Sequence, residues 1–116
     1  MSNHHLINYI EIPTKDIEAS KAFFANVFSW TFIDYGPDYA SFTNAGIDGG
    51  FYTADKTALT NSGSVLVVLY SKELEATLSS VEAAGGVIVK PIFSFPGGRR
   101  FQFLDPSGNE LAVWSE

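Results

Sequence analysis

The second half of the chain repeats the first. Thr14-Lys15-Asp16-Ile17-Glu18-Ala19-Ser20 returns 57 positions later as Ser71-Lys72-Glu73-Leu74-Glu75-Ala76-Thr77, with hydroxyl, acidic and apolar residues exchanged only for near equivalents. Each copy follows a strand-like run, residues 6–12 and 65–70. A solenoid needs at least three stacked units. A period this long in 116 residues therefore implies a β-α-β unit written twice and closed into one domain. Duplication of this kind sets strands of both halves around a shared cavity, where a binding site is expected.

Local patterning fills in the unit. Residues 6–12 mix β-branched and aromatic side chains in near-alternation, and Pro13 is expected to end that strand. Asp16 is placed to cap a helix whose apolar stripe is Ile17, Phe24, Val27 and Phe28. Strands follow at residues 30–33, 39–43 and 49–52, with Gly36-Pro37-Asp38 as a turn. A polar segment, residues 53–63, links the halves. In the second half the unbroken apolar run 65–69 reads as a strand buried on both faces, and a helix over residues 72–84 ends at Gly85-Gly86. A strand at 87–89 leads into a mobile segment containing Phe93 and ending at Gly97-Gly98. Residues 100–104 and 110–114 then form a hairpin across Asp105-Pro106-Ser107-Gly108-Asn109. The expected fold class is α+β: two tandem βαβββ units, about residues 6–53 and 64–115, in a single domain spanning 1–116.

Charge narrows the partners. Thirteen acids against seven bases give a net charge of −6, which repels phosphate backbones and anionic surfaces, so neither nucleic acid nor membrane is an expected partner. No apolar run approaches the roughly 20 residues a bilayer span needs, and no secretory leader is expected. The absence of cysteine excludes disulfides and thiolate chemistry and fits a cytoplasmic protein. The only histidines, His4 and His5, stand at the N-terminus, outside the folded body, so a Ser-His-Asp arrangement is not expected.

Two consecutive βαβββ units, the first helix written Asp16-Ile17-Glu18-Ala19-Ser20-Lys21-Ala22-Phe23-Phe24 and the last hairpin Phe103-Leu104-Asp105-Pro106-Ser107-Gly108-Asn109, resemble the vicinal oxygen chelate superfamily. That group includes glyoxalase I, extradiol dioxygenases, fosfomycin-modifying enzymes and bleomycin-resistance proteins. The resemblance implies one glyoxalase-like half-open barrel and, because members commonly pair, a homodimer. In catalytic members His, Glu or Gln side chains from the first and last strand of each unit hold a divalent metal. Carried onto this chain, those positions are Tyr9, Gly50, Leu66 and Ala112. Leucine, glycine and alanine offer no donor atom. No metal site and no cofactor are expected.

What remains describes a cavity for a small molecule. By strand alternation Tyr9 and Glu11 share a face, as do Glu110, Ala112 and Trp114. Glu11 is a candidate general base or hydrogen-bond acceptor; the other reading is a partner for Arg99 or Arg100, or a solvated rim residue. Trp114 suits a planar ligand or a core position, and Gln102 is either a polar cavity wall or outward-facing. Residues 93–100 have the composition of a flap, with Arg100 able to meet an anion, or of an ordinary hairpin connection. The expected ligand-binding set is Tyr9, Glu11, Gln102, Trp114 and Arg100, around an apolar or aromatic small molecule. Two alternatives stay open: a metal-dependent lyase, isomerase or dioxygenase, and a dimeric interaction module with a filled cavity.

Overall fold

A computed structural model describes residues 4–116. The element order is β1 Tyr9–Thr14, α1 Ile17–Phe28, β2 Thr31–Asp34, β3 Tyr39–Thr43 and β4 Asp48–Thr53, a 3-10 turn at Thr60–Ser62, then β5 Val67–Tyr70, α2 Leu74–Ala83, β6 Val87–Phe95, β7 Gly98–Leu104 and β8 Glu110–Ser115. The strands form two four-stranded sheets, ordered β1-β4-β3-β2 and β5-β8-β7-β6. In each, the first strand of the unit pairs parallel to the last, and the remaining ladders are antiparallel. These are the two βαβββ units expected from the repeat.

The repeated heptads have a physical purpose. Thr14 Oγ1 meets Ser20 Oγ at 2.8 Å and accepts from the Asp16 N–H at 3.1 Å. Ser71 Oγ meets Thr77 Oγ1 at 2.7 Å and accepts from the Glu73 N–H at 3.0 Å. Each hydroxyl pair pins a strand end to the first turn of the following helix, satisfying donors that a helix start leaves unpaired. Asp16 adds a cap of its own, accepting from the Ala19 N–H at 3.2 Å, whereas Glu73 makes no equivalent side-chain bond. After α2, Gly85 takes a φ of +99°, a left-handed conformation that glycine adopts without steric cost.

One core serves both halves. Phe24 stacks on Trp30 at 4.7 Å, Trp30 meets Phe42 at 4.6 Å, and Phe24, Phe42 and Phe51 are fully buried. Phe23 and Phe28 of α1 also reach Phe103 of β7, at 6.0 and 6.1 Å. Helix α1 is therefore not purely an outer layer, because it packs on its own sheet and touches the other. The turn between β7 and β8 ties the halves again: Asn109 Nδ2 donates to the Pro13 carbonyl at 2.7 Å, and Ser107 Oγ meets Thr14 Oγ1 at 2.8 Å.

Three local expectations are corrected. The run 65–69 is not buried on both faces: β5 is an edge strand, with Val65 87% and Val68 43% exposed, because a βαβββ unit leaves its first strand at the sheet margin. Pro13 does not stop β1. It pairs with Tyr52 on an edge strand, where a missing N–H can be tolerated. Residues 93–100 are the ordinary hairpin connection and not a flap, because Phe93 and Phe95 lie in β6 and pair with Arg100 and Gly98 of β7, leaving a tight turn at Pro96-Gly97. No helix among the described residues is long and apolar enough to cross a membrane.

Candidate functional site

Strand register assigns the faces. On the first sheet Ile12 pairs with Phe51 and both are buried in the core, so their neighbours Glu11 and Gly50 belong to the opposite face, with Tyr9. On the second sheet Phe101, Phe103, Leu111 and Val113 enter the core, which turns Arg100, Gln102, Ala112 and Trp114 the other way, in register with Val68 and Tyr70. All five expected ligand residues thus sit on sheet faces turned away from the shared core. Tyr9 at 47% and Tyr70 at 46% are exposed on these faces, whereas Gln102 at 2% and Ala112 at 0% are buried there.

The first face carries a hydroxyl-carboxylate triad. Tyr39 Oη donates to Glu11 Oε2 at 3.0 Å and lies 2.6 Å from Tyr9 Oη. Because Tyr39 has one proton and gives it to Glu11, Tyr9 must donate to Tyr39. Burial, reinforced by the bonds to Tyr9 and Glu11, pushes the Tyr39 phenol well above its ordinary value, which keeps it a neutral donor. The Tyr39 ring occupies the space over Gly50, where an added Cβ would collide with its hydroxyl end. Tyr39 was not singled out in the sequence as a site residue. The signal was Gly49-Gly50, since paired glycines inside a strand mark a close approach by neighbouring groups.

The second face carries a linear polar chain beside an aromatic group. Arg100 Nη2 donates to Gln102 Oε1 at 3.0 Å, Gln102 Nε2 donates to Glu110 Oε2 at 2.6 Å, and Glu110 Oε1 accepts from the Thr60 N–H and hydroxyl at 2.9 and 2.8 Å. The Thr60 N–H holds the Glu110 carboxyl below its ordinary value against the opposing effect of burial. The Arg100 guanidinium lies over Phe93 and Phe95, 5.3 and 5.8 Å from the ring centroids. Trp114 meets Tyr70 edge-on at 5.1 Å and Phe95 at 6.3 Å. Thr60, in the linker, has no motif that would have marked it.

Within one chain the two groups meet only at their carboxylates, Glu11 and Glu110, which line the same cleft. Tyr9 and Glu11 come together through Tyr39, and Arg100, Gln102 and Trp114 share the second sheet. Between the sheets, a cleft of about 570 Å³ is lined by Ile10 and Glu11 of β1, Val67 of β5 and Glu110 and Leu111 of β8, and contains none of Gln102, Arg100 or Trp114. A smaller cleft of about 330 Å³ lies between Trp30, Phe42 and residues 67–70.

The positions that the resemblance assigned to a metal divide the same way. Tyr9 and Gly50 lie on the first sheet, Ala112 lies on the second, and Leu66 immediately precedes β5. Gly50, Leu66 and Ala112 have no donor atom, and the Tyr9 phenol is engaged by Tyr39. Among the described residues no group of three or more His, Cys, Asp or Glu is placed to hold a metal ion. This donor set does not fit the metal of the family.

The model of the Glyoxalase/Bleomycin resistance protein/Dioxygenase superfamily matches residues 6–113. An uncharacterized protein of Mycolicibacterium smegmatis is 29% identical over 119 aligned positions, covering 99% of this chain and 97% of that protein. A glyoxalase-related enzyme from Fulvimarina pelagi superposes with a TM-score of 0.80 at 19% identity, over 97% of this chain and 88% of its own. A fosfomycin resistance protein from Listeria monocytogenes superposes with a TM-score of 0.78 at 19% identity, over 95% and 92%. The chain belongs to the glyoxalase/bleomycin resistance/dioxygenase superfamily.

Proposed function

We propose that the protein is a metal-independent member of this superfamily that binds a small apolar or aromatic molecule, using the sheet faces opposite its helices. The observation that carries this reading is Tyr39, whose ring takes the space over Gly50 and whose hydroxyl engages both Tyr9 and Glu11. A phenolic triad replaces the metal donors on that sheet. It can hydrogen-bond a ligand, and it lacks the nitrogen and carboxylate cluster that a first-row metal requires. The aromatic surface of Tyr70, Phe95 and Trp114 on the other sheet supplies the stacking walls typical of small-molecule sites.

Neither face encloses a ligand alone. Tyr9 and Glu11 would meet Gln102, Arg100 and Trp114 across a ligand when the first sheet of one chain faces the second sheet of another, so the functional unit in this reading is a homodimer. Metal analysis of protein purified without chelators, combined with thermal shift using indole and 1-naphthol, tests the proposal. The expected result is substoichiometric metal and a raised melting temperature that EDTA leaves unchanged. Stoichiometric metal, or stabilisation abolished by EDTA, would refute metal independence and favour a metal-dependent enzyme.

A further inference from the structure

The two adjacent arginines are treated in opposite ways by their surroundings. Arg99, partly exposed, forms a two-pronged ion pair with Glu75, at 2.6 and 3.3 Å. Arg100 is half-buried, yet no acid among the described residues pairs with it. Among the described residues its single hydrogen bond goes to the neutral amide oxygen of Gln102, and its Nε is buried without a partner. A guanidinium withdrawn from water is costly unless an anion or a full set of acceptors compensates it. Here the faces of Phe93 and Phe95 compensate in part.

The neighbouring carboxylate is held back from it. Glu110 spends one oxygen on Thr60 and the other on the Gln102 amide, so Gln102 stands as a spacer between Glu110 and Arg100. In a chain with six more acids than bases by charge, Arg100 has no acidic partner among the described residues while the adjacent Arg99 is neutralised by Glu75. Its fork is also pre-oriented by Gln102 and two rings, which lowers the entropy lost when an oxyanion docks.

We propose that Arg100 is the anion-recognition residue of the ligand site, and that the ligand class is an aromatic or apolar acid whose carboxylate meets the Arg100 guanidinium while its apolar body lies against Phe95 and Trp114. This rests on the small-molecule reading above and names the chemistry of its ligand. The carboxylate supplies the acceptors that the protein withholds, and the rings already flanking Arg100 exclude the water that would otherwise weaken the pair.

The test compares 1-naphthoate with 1-naphthamide, which share ring and size and differ in charge, using calorimetry and thermal shift on the parent, Arg100→Gln, Arg100→Lys and Arg99→Gln. The expected result is that naphthoate binds about 10-fold or more tighter than naphthamide to the parent, with the preference weakened by salt. Arg100→Gln should abolish the preference, Arg100→Lys should keep a reduced one because it retains charge without the planar fork, and Arg99→Gln should leave it intact. Equal binding of acid and amide by the parent would overturn the inference while leaving the small-molecule site standing. Failure of both probes, together with indole and 1-naphthol, would overturn both. A preference that survives Arg100→Gln, or an Arg100→Gln variant that only dissociates a dimer, would assign Arg100 to a contact between chains instead.

Discussion

Tyr39 and Gly50 act as one unit at the scale of single residues. The space over Gly50 is filled by the Tyr39 ring end, so a side chain at position 50 must evict that ring and break its bonds to Tyr9 and Glu11. Gly50→Ala should therefore destabilise by about 1–2 kcal/mol, the value of one or two hydrogen bonds. In a Tyr39→Ala background most of that cost should disappear, and urea denaturation of the four proteins in the cycle measures the coupling. Additive costs would show that the ring and the glycine are independent. Glu110 gives a second residue-scale expectation, in pH. Its folded-state pKa is lowered from 4.5, first by the Thr60 N–H. The unfolded chain thus binds its proton more readily, and the stability from this group is complete above 4.5 and lost as pH falls through the folded value. Glu110→Gln should be less stable at neutral pH and should lose less on acidification than the parent, as read by unfolding midpoints across that window.

Among the elements, legibility followed how local the governing interaction was. Asp16 before an apolar stripe, and Gly85 after one, are decided by backbone donors and φ within a few residues, and both ends fell where the sequence placed them. The run at residues 65–69 misled because apolar content records how much surface is to be covered, and carries no record of which neighbour covers it. β5 lies at a sheet margin and keeps Val68 half open. Phe93 and Phe95 misled for a related reason: Pro and Gly nearby suggested a loop, but they form only the turn of a long hairpin, and β6 absorbs its irregularity through register shifts between Ile88 and Phe93. The shared faces of the candidate site were legible, since Tyr9 with Glu11 and Ala112 with Trp114 follow from period-2 alternation. Its cross-strand chemistry was not, because Tyr39 reaches Glu11 from β3 and Thr60 reaches Glu110 from the linker. Helix α1 carries the strongest element-scale prediction. Phe24 is fully buried against Trp30, Phe28 and Phe51, so Phe24→Ala should cost about 3–5 kcal/mol. An unchanged denaturation midpoint would mean that α1 does not anchor the core.

At the scale of the whole molecule, the duplication has an asymmetric result. Both units turn one face to the common core, where α1 meets Phe103, and the other face is only partly covered, with Tyr9 and Tyr70 exposed but Gln102 and Ala112 buried. The hydroxyl-carboxylate triad is on one such face and the arginine-aromatic group on the other. In the proposed homodimer each chain lends a different face to the ligand, and a pair related by a two-fold axis makes two such sites. Mixed assemblies separate this arrangement from a site inside one chain. Glu11→Ala should damage only the first face, and Trp114→Ala only the second, so each variant alone should bind a shared probe weakly. When equal amounts are unfolded and refolded together, half of the dimers pair one of each variant. Every such dimer contains one site with both faces intact and one with both damaged, so about a quarter of all sites should regain parental affinity. Calorimetric stoichiometry reads that fraction directly, and light scattering should give twice the 12.6 kDa chain mass. Weak binding that persists after mixing, with a dimeric mass, would place the ligand within a single chain; the cleft between β1 and β5 would then be the place to look.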